Sequence, residues 1–147
     1  MTASTEHLNF SRRRAAVSRD GLPFEFPPSM SDVPIGRIHC ATTVLDSRGR
    51  LGERSTLRAL GWGPGRQVAI HTARHVALVT AAERGPHIVG PHGYLHLPAR
   101  IRSTCHLRAQ DRLLLVAALD RHQLLVYPMP VLATALYQHR QDLWDQG

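Results

Sequence analysis

Residues 93–128 read GYLHLPARIRSTCHLRAQDRLLLVAALDRHQLLVYP. Gly93-Tyr94-Leu95-His96-Leu97 alternates in the manner of a half-buried strand. Pro98 suits the first turn of a helix, where a missing N–H goes unnoticed. The short helix from Ala99 to Cys105 presents Ile101 and Cys105 four apart on one face. Arg108-Ala109-Gln110-Asp111 is a turn. Leu113–Val116 and Gln123–Tyr127 then read as a β-hairpin joined through Asp120-Arg121.

The preceding stretch repeats this order. Ile38 to Leu45 is β-prone and ends at the turn signal Asp46-Ser47-Arg48-Gly49. Arg50-Leu51 leads into a helical piece, Ser55 to Leu60, stopped by Gly61. Gly63-Pro64-Gly65 turns the chain, and Val68–His71 with Val76–Val79 form a hairpin around Thr72-Ala73-Arg74. Superposing Gly49 on Gly93 places Leu57-Arg58 on Ile101-Arg102. One extra residue of offset near the helix then places Gly63-Pro64-Gly65 on Arg108-Ala109-Gln110. The chain divides accordingly: a flexible basic and Pro-rich tail (1–36), a first unit (37–83), a second unit (84–128) and a C-terminal helix (129–147). That helix carries the stripe Val131, Leu132, Ala135, Leu136, Leu143 and Trp144, to be packed on the core or on a partner. In the tail, Arg12-Arg13-Arg14 is a basic run, and Phe24-Glu25-Phe26 could dock onto the core.

Charge follows the same division. All 18 basic residues of the 147 are arginine, and the formal net charge is +7. The tail has four Arg against four acids, the first unit seven against three, the second six against two, and the C-terminal segment one against two. The excess therefore sits in the two units. A basic folded core suits a polyanion such as nucleic acid, although the same charge also serves solubility. Arginine-only usage is equally what a GC-rich coding sequence gives.

Other chemistry is thinly represented. His71 and His75 flank a hairpin turn, His92 and His96 lie on a loop and strand, and neither pair has a third ligand nearby, so no metal is expected. Cys40 and Cys105 form no CxxC and are expected to be reduced, buried thiols. The glycines at 61, 63 and 65 follow a helix and lack the Lys-Ser/Thr of a phosphate loop. No acid–base pair or activated nucleophile stands out, so neither an enzyme nor a cofactor is expected. The first 20 residues hold no apolar run of signal-peptide type, and Leu113–Leu119 is too short to span a bilayer. A cytoplasmic, nucleoid-associated protein is expected, with no membrane partner.

Both units resemble the AbrB/MazE/SpoVT family of swapped-hairpin DNA-binding domains. The family pattern runs Gly-Arg-hydrophobic-x-Ile-Pro, two residues, Leu-Arg, two residues, Leu-Gly-Leu, two residues, Gly-Asp, then a hairpin. The second unit matches at Gly93, Leu95, Leu97-Pro98, Ile101-Arg102, Cys105, Leu107 and Asp111, and departs at Tyr94 (for Arg), His106 (for Gly) and Gln110 (for Gly). The first matches at Asp46, Gly49-Arg50-Leu51, Leu57-Arg58, Leu60-Gly61-Trp62 and Pro64-Gly65, and lacks the Ile-Pro pair. The likeness covers about residues 37–128. It implies a mainly β fold with short helices: a swapped-hairpin AbrB-type barrel formed as an intrachain pseudo-dimer, plus the C-terminal helix. It also implies a transcriptional regulator or antitoxin-like protein that binds double-stranded DNA, with a homodimer or cognate protein partner possible. By position, Arg50, Arg58 and Arg102 match family arginines, and Arg48, Arg54, Arg100 and Arg108 lie nearby. Tyr94 and the lost Ile-Pro point to the alternative, a degenerate AbrB-like barrel that serves as a protein–protein interaction module without DNA binding.

Overall fold

The computed structural model describes residues 24–25 and 36–147; the expectation of a flexible tail, with the Arg12–Arg14 run, lies outside the described residues. The described chain is mainly β. Strands are β1 (Phe24–Glu25), β2 (Arg37–Val44), β3 (Gln67–Ala73), β4 (Val76–Ala81), β5 (His87–Ile88), β6 (Arg112–Ala118) and β7 (Gln123–Pro128). Helices are α1 (Ser55–Ala59), α2 (Ala99–Thr104), α3 (Met129–His139) and α4 (Gln141–Trp144). All strand pairings are antiparallel, in the order β1-β2-β6-β7-β4-β3-β5. The pairing of β1 places Phe24 opposite Ile38 on the edge of β2.

Period-two burial builds the core. Leu113, Leu115 and Ala117 on β6, Leu124 and Val126 on β7, and Ala77 and Val79 on β4 are all buried. With Leu45, Leu51, Leu57, Trp62, Leu95, Leu97 and Cys105 they form one cluster. Each buried Leu or Val among them contributes about 1.5–3 kcal/mol of transfer free energy. Cys40 departs from the expectation of burial: it pairs opposite Val116 on the outward parity of β2, and it is exposed.

Two exchanges of strands organise the sheet. The entry strand of the first unit, β2, pairs with the hairpin of the second along its whole length, from Ile38 opposite Ala118 to Val44 opposite Arg112. The entry strand of the second, β5, pairs with β3 of the first. The backbone bonds at the two junctions repeat. Leu45 N–H donates to Asp111 O at 2.9 Å and Leu45 O accepts from Gln110 N–H at 2.7 Å. Val89 N–H donates to Arg66 O at 2.9 Å, and Val89 O accepts from Gly65 N–H at 2.8 Å. The loops that follow repeat too: Gly49 N–H bonds to Asp46 O and Asp46 N–H to Arg50 O, as Gly93 N–H does to Gly90 O and Gly90 N–H to Tyr94 O. These bonds recur 44 residues apart before the helices (89 − 45) and 45 after them (111 − 66). Left-handed backbone recurs at the same spacing, at Gly49 and Gly93, Gly61 and His106, and Gly65 and Gln110.

Equivalent stretches also pair with each other. Leu51 N–H donates to Leu95 O at 2.9 Å, and Leu97 N–H donates to Gly49 O at 2.8 Å around the single bridge Arg50–His96. The strand expected over 93–97 is reduced to this bridge, although its alternation survives, with Leu95 and Leu97 buried and His96 exposed. In the middle of the sheet, Val79 pairs with Leu124.

The C-terminal segment departs from the expected single helix. The chain breaks at Arg140 (φ −143°, ψ 67°), whose guanidinium donates to Asp142 at 2.9 and 2.7 Å. Val131 and Leu132 are half-buried near β6 and β7, whereas Leu136, Tyr137, Leu143 and Trp144 are exposed. The apolar stripe thus meets the core only in its first turn.

Gly49 couples the two halves. At φ +84°, a side-chain Cβ there would sit 2.9 Å from both Leu97 O and Arg102 Nε. Gly49→Ala is therefore expected to lower unfolding free energy by about 1–3 kcal/mol in urea titrations. Gln110→Gly, which relieves a non-glycine φ of 72°, is expected to be neutral or to stabilise by up to about 1 kcal/mol.

Candidate nucleic-acid interface

The first-unit arginines gather on one face. Asp46 folds the loop that carries Arg48 and Arg50: its Oδ1 accepts from the N–H of Arg48 (2.9 Å) and of Arg50 (2.8 Å). Its Oδ2 accepts from Arg50 Nε at 2.8 Å. The Arg50 backbone N–H, and with it the Arg50 side chain and the Arg48 N–H, outweigh desolvation and hold the Asp46 carboxyl below its ordinary value. Glu53 starts α1. Its carboxylate accepts from Ser55 N–H at 2.6 Å, Thr56 N–H at 3.1 Å and Thr56 Oγ1 at 3.3 Å. Desolvation pushes Glu53 up, yet these hydrogen bonds outweigh it and hold the group below its ordinary value. Both acids of this stretch are thus engaged in backbone contacts, and α1 is oriented with Arg54 and Arg58 outward.

Tyr94 joins the cluster from the second unit. The Arg50–His96 bridge brings it beside the first, with the Arg54 guanidinium 4.9 Å and the Arg50 guanidinium 5.8 Å from its ring centroid. Arg54 is also fixed by donating from Nη1 to His92 O at 3.2 Å. Two adjoining cavities result. One is lined by Arg48, Arg50, His92, Tyr94 and His96, the other by Arg54, Arg58, Trp62 and His92.

The remaining sequence-predicted arginines lie elsewhere. Arg102 is half-buried, with a buried Nε that has no hydrogen-bond partner among the described residues and that packs beneath Gly49. Arg100 is exposed on α2, and Arg108 is exposed in the turn where its N–H bonds to Asp111 Oδ2 at 2.8 Å. Neither lines the two cavities. Among the described residues the side chains of Arg48, Arg58, Arg100 and Arg108 meet no carboxylate. Sequence reasoning missed Tyr94, His92 and His96 as members of this face; the only hint was the match of Tyr94 to Arg50 in the superposed units.

Of the other histidines, His75 and His106 bring their rings to 4.9 Å, and His75 Nδ1 lies 3.1 Å from Thr104 O. Among the described residues no group of three or more His, Cys, Asp or Glu side chains is placed to hold a metal, and no helix is long and apolar enough to cross a membrane. No protein-family model and no curated protein matches this chain.

The acidic end of the stability profile follows from Asp46 and from Asp120. Asp120 is held low first by the Arg37 N–H (2.9 Å) and then by the Arg37 side chain (3.1 Å). With folded values lowered, the unfolded chain binds more protons as pH falls, so these contributions are complete above the ordinary aspartate value near 4 and are lost progressively as pH drops from there through the lowered folded values. Acid titration followed by circular dichroism is expected to show stability falling below about pH 4, and Asp46→Asn should flatten that decline.

Proposed function

We propose that this protein is a DNA-binding transcriptional regulator or antitoxin-like protein. Its two AbrB-like units would close a swapped-hairpin barrel within one chain, as a pseudo-dimer, and act in the cytoplasm on the nucleoid. The observation that carries the reading is the gathering of Arg48, Arg50, Arg54 and Arg58 on one face, where Glu53 is occupied by the donors of Ser55 and Thr56 and Asp46 by two backbone N–H groups and one nitrogen of Arg50. Guanidinium groups so placed bind phosphate in bidentate fashion and can reach guanine edges. The exchange of β2 and β5 between units supports the pseudo-dimer, because each unit then completes the other's sheet. Arg102 becomes a positioning residue under Gly49, while Arg100 and Arg108 add to the long-range field.

A second reading has its own observation. Leu136, Tyr137, Leu143 and Trp144 are exposed on α3 and α4, and Tyr137 meets Trp144 edge-on at 6.1 Å. That surface suits a protein–protein interaction module without DNA contact.

Duplex DNA binding measured against salt separates the two. The DNA reading expects a log–log slope of about −0.9 per phosphate neutralised, and Arg50→Ala with Arg58→Ala should shrink its magnitude by about 0.9 for each arginine. No binding at low salt, or a flat slope, favours the interaction module. Sedimentation tests the pseudo-dimer: a folded monomer is expected, and a chain that folds only on dimerising would overturn it.

A further inference from the structure

Arg50 and His96, the bridged pair, both line a cavity of about 360 Å³. Its walls come from both units: Arg48 and Arg50 from the first, Ile88, His92, Tyr94 and His96 from the second. No carboxylate lines it. We propose that this cavity binds a single nucleotide, with the nucleobase stacked on Tyr94 and the phosphate held by Arg48 and Arg50. The proposal takes its charge complement from the polyanion reading above, and its test separates the two.

The aromatic ring is the first argument. Tyr94 is half-exposed and lines this cavity, whereas Arg54, 4.9 Å from the ring centroid, lines the neighbouring one. The ring therefore stands between them, with the Arg54 guanidinium, itself anchored to His92 O, and the Arg50 guanidinium of this cavity, 5.8 Å from its centroid, both beside it. A half-exposed ring next to the guanidinium that would hold the phosphate offers a stacking surface to a base. The second argument is charge. Arg48 has no carboxylate partner among the described residues, and Arg50 engages Asp46 through Nε, its Nη2 and Nη1 edge taking no part in that bond. The Arg48 and Arg50 backbone N–H groups already occupy Asp46 Oδ1, which lessens that acid's competition for the two guanidiniums. The third argument is size and lining. A cavity of this volume lies at the small end of the range for small-molecule sites and cannot admit a duplex. His92 and His96 supply ring nitrogens for a base edge, and Ile88, 56% exposed, supplies an apolar rim.

A nucleotide can come from two sources, a free nucleoside monophosphate or an unpaired nucleotide of a nucleic-acid strand. Calorimetric titration of the full chain with adenosine 5′-monophosphate and with inorganic phosphate tests the shared chemistry. The monophosphate is expected to bind at least tenfold more tightly than phosphate. Tyr94→Ala should erase that preference, a loss of roughly 10- to 150-fold for one stacked base, while leaving phosphate affinity in place. Tyr94→Phe should keep the preference. Equal affinity for the two probes, or a preference that survives Tyr94→Ala in a chain with wild-type circular dichroism, overturns the proposal. A duplex with one unpaired nucleotide, compared with its fully paired counterpart, identifies the source. A Tyr94-dependent gain assigns the cavity to a strand, and no gain with monophosphate binding intact assigns it to the free nucleotide. Salt-dependent duplex binding with equal affinity for monophosphate and phosphate overturns the cavity proposal alone. Monophosphate binding with a flat duplex salt slope overturns the duplex reading alone.

Discussion

The strand that opens each half of this chain is paired to the hairpin of the other, and the fold is built on that trade. β2 lies on the hairpin of the second unit and β5 on that of the first, so the buried leucines of β6 gain their cover from residues some seventy positions earlier. A unit of roughly forty-five residues is below the size at which a core supports itself. The closing bonds at Leu45 and Val89 repeat in partner and in length. The arginine face depends on this trade. Tyr94 reaches Arg50 and Arg54 because residues 49–51 and 95–97, from corresponding loops, meet edge to edge.

Local pattern made the two hairpins legible, because period-two alternation is a property of a few adjacent residues. The turn signals at Asp46–Gly49 and Gly61–Gly65 were legible for the same reason. Left-handed backbone at Arg74, His75, His106 and Gln110 was not, since none of these residues demands that conformation and the surrounding strands impose it. The burial of Cys40 was misjudged because an eight-residue β-prone run does not say which of its two parities faces inward. The C-terminal stripe was visible in the sequence, but its break at Arg140, beside the exposed pair with Asp142, was not, because no Gly or Pro marks the position.

The arginines divide along the same line. Arg48, Arg50, Arg54 and Arg58 are sequence neighbours on one loop and one helical turn, so their clustering was legible. Arg102 was matched to Arg58 by position, yet it ends beneath Gly49 because that glycine leaves room for a guanidinium. Tyr94 counted as a lost contact in the sequence and stands in the structure as the aromatic centre of the cluster.

Arg50 and Tyr94 occupy equivalent places in the two halves, one cationic and one aromatic. A symmetric homodimer is obliged to repeat the same side chain on both sides of its axis. A chain that encodes both halves separately escapes that obligation, and the surface here has acquired a polarity. Turned end for end, it presents an arginine where it had presented a tyrosine, so its two directions are chemically distinct.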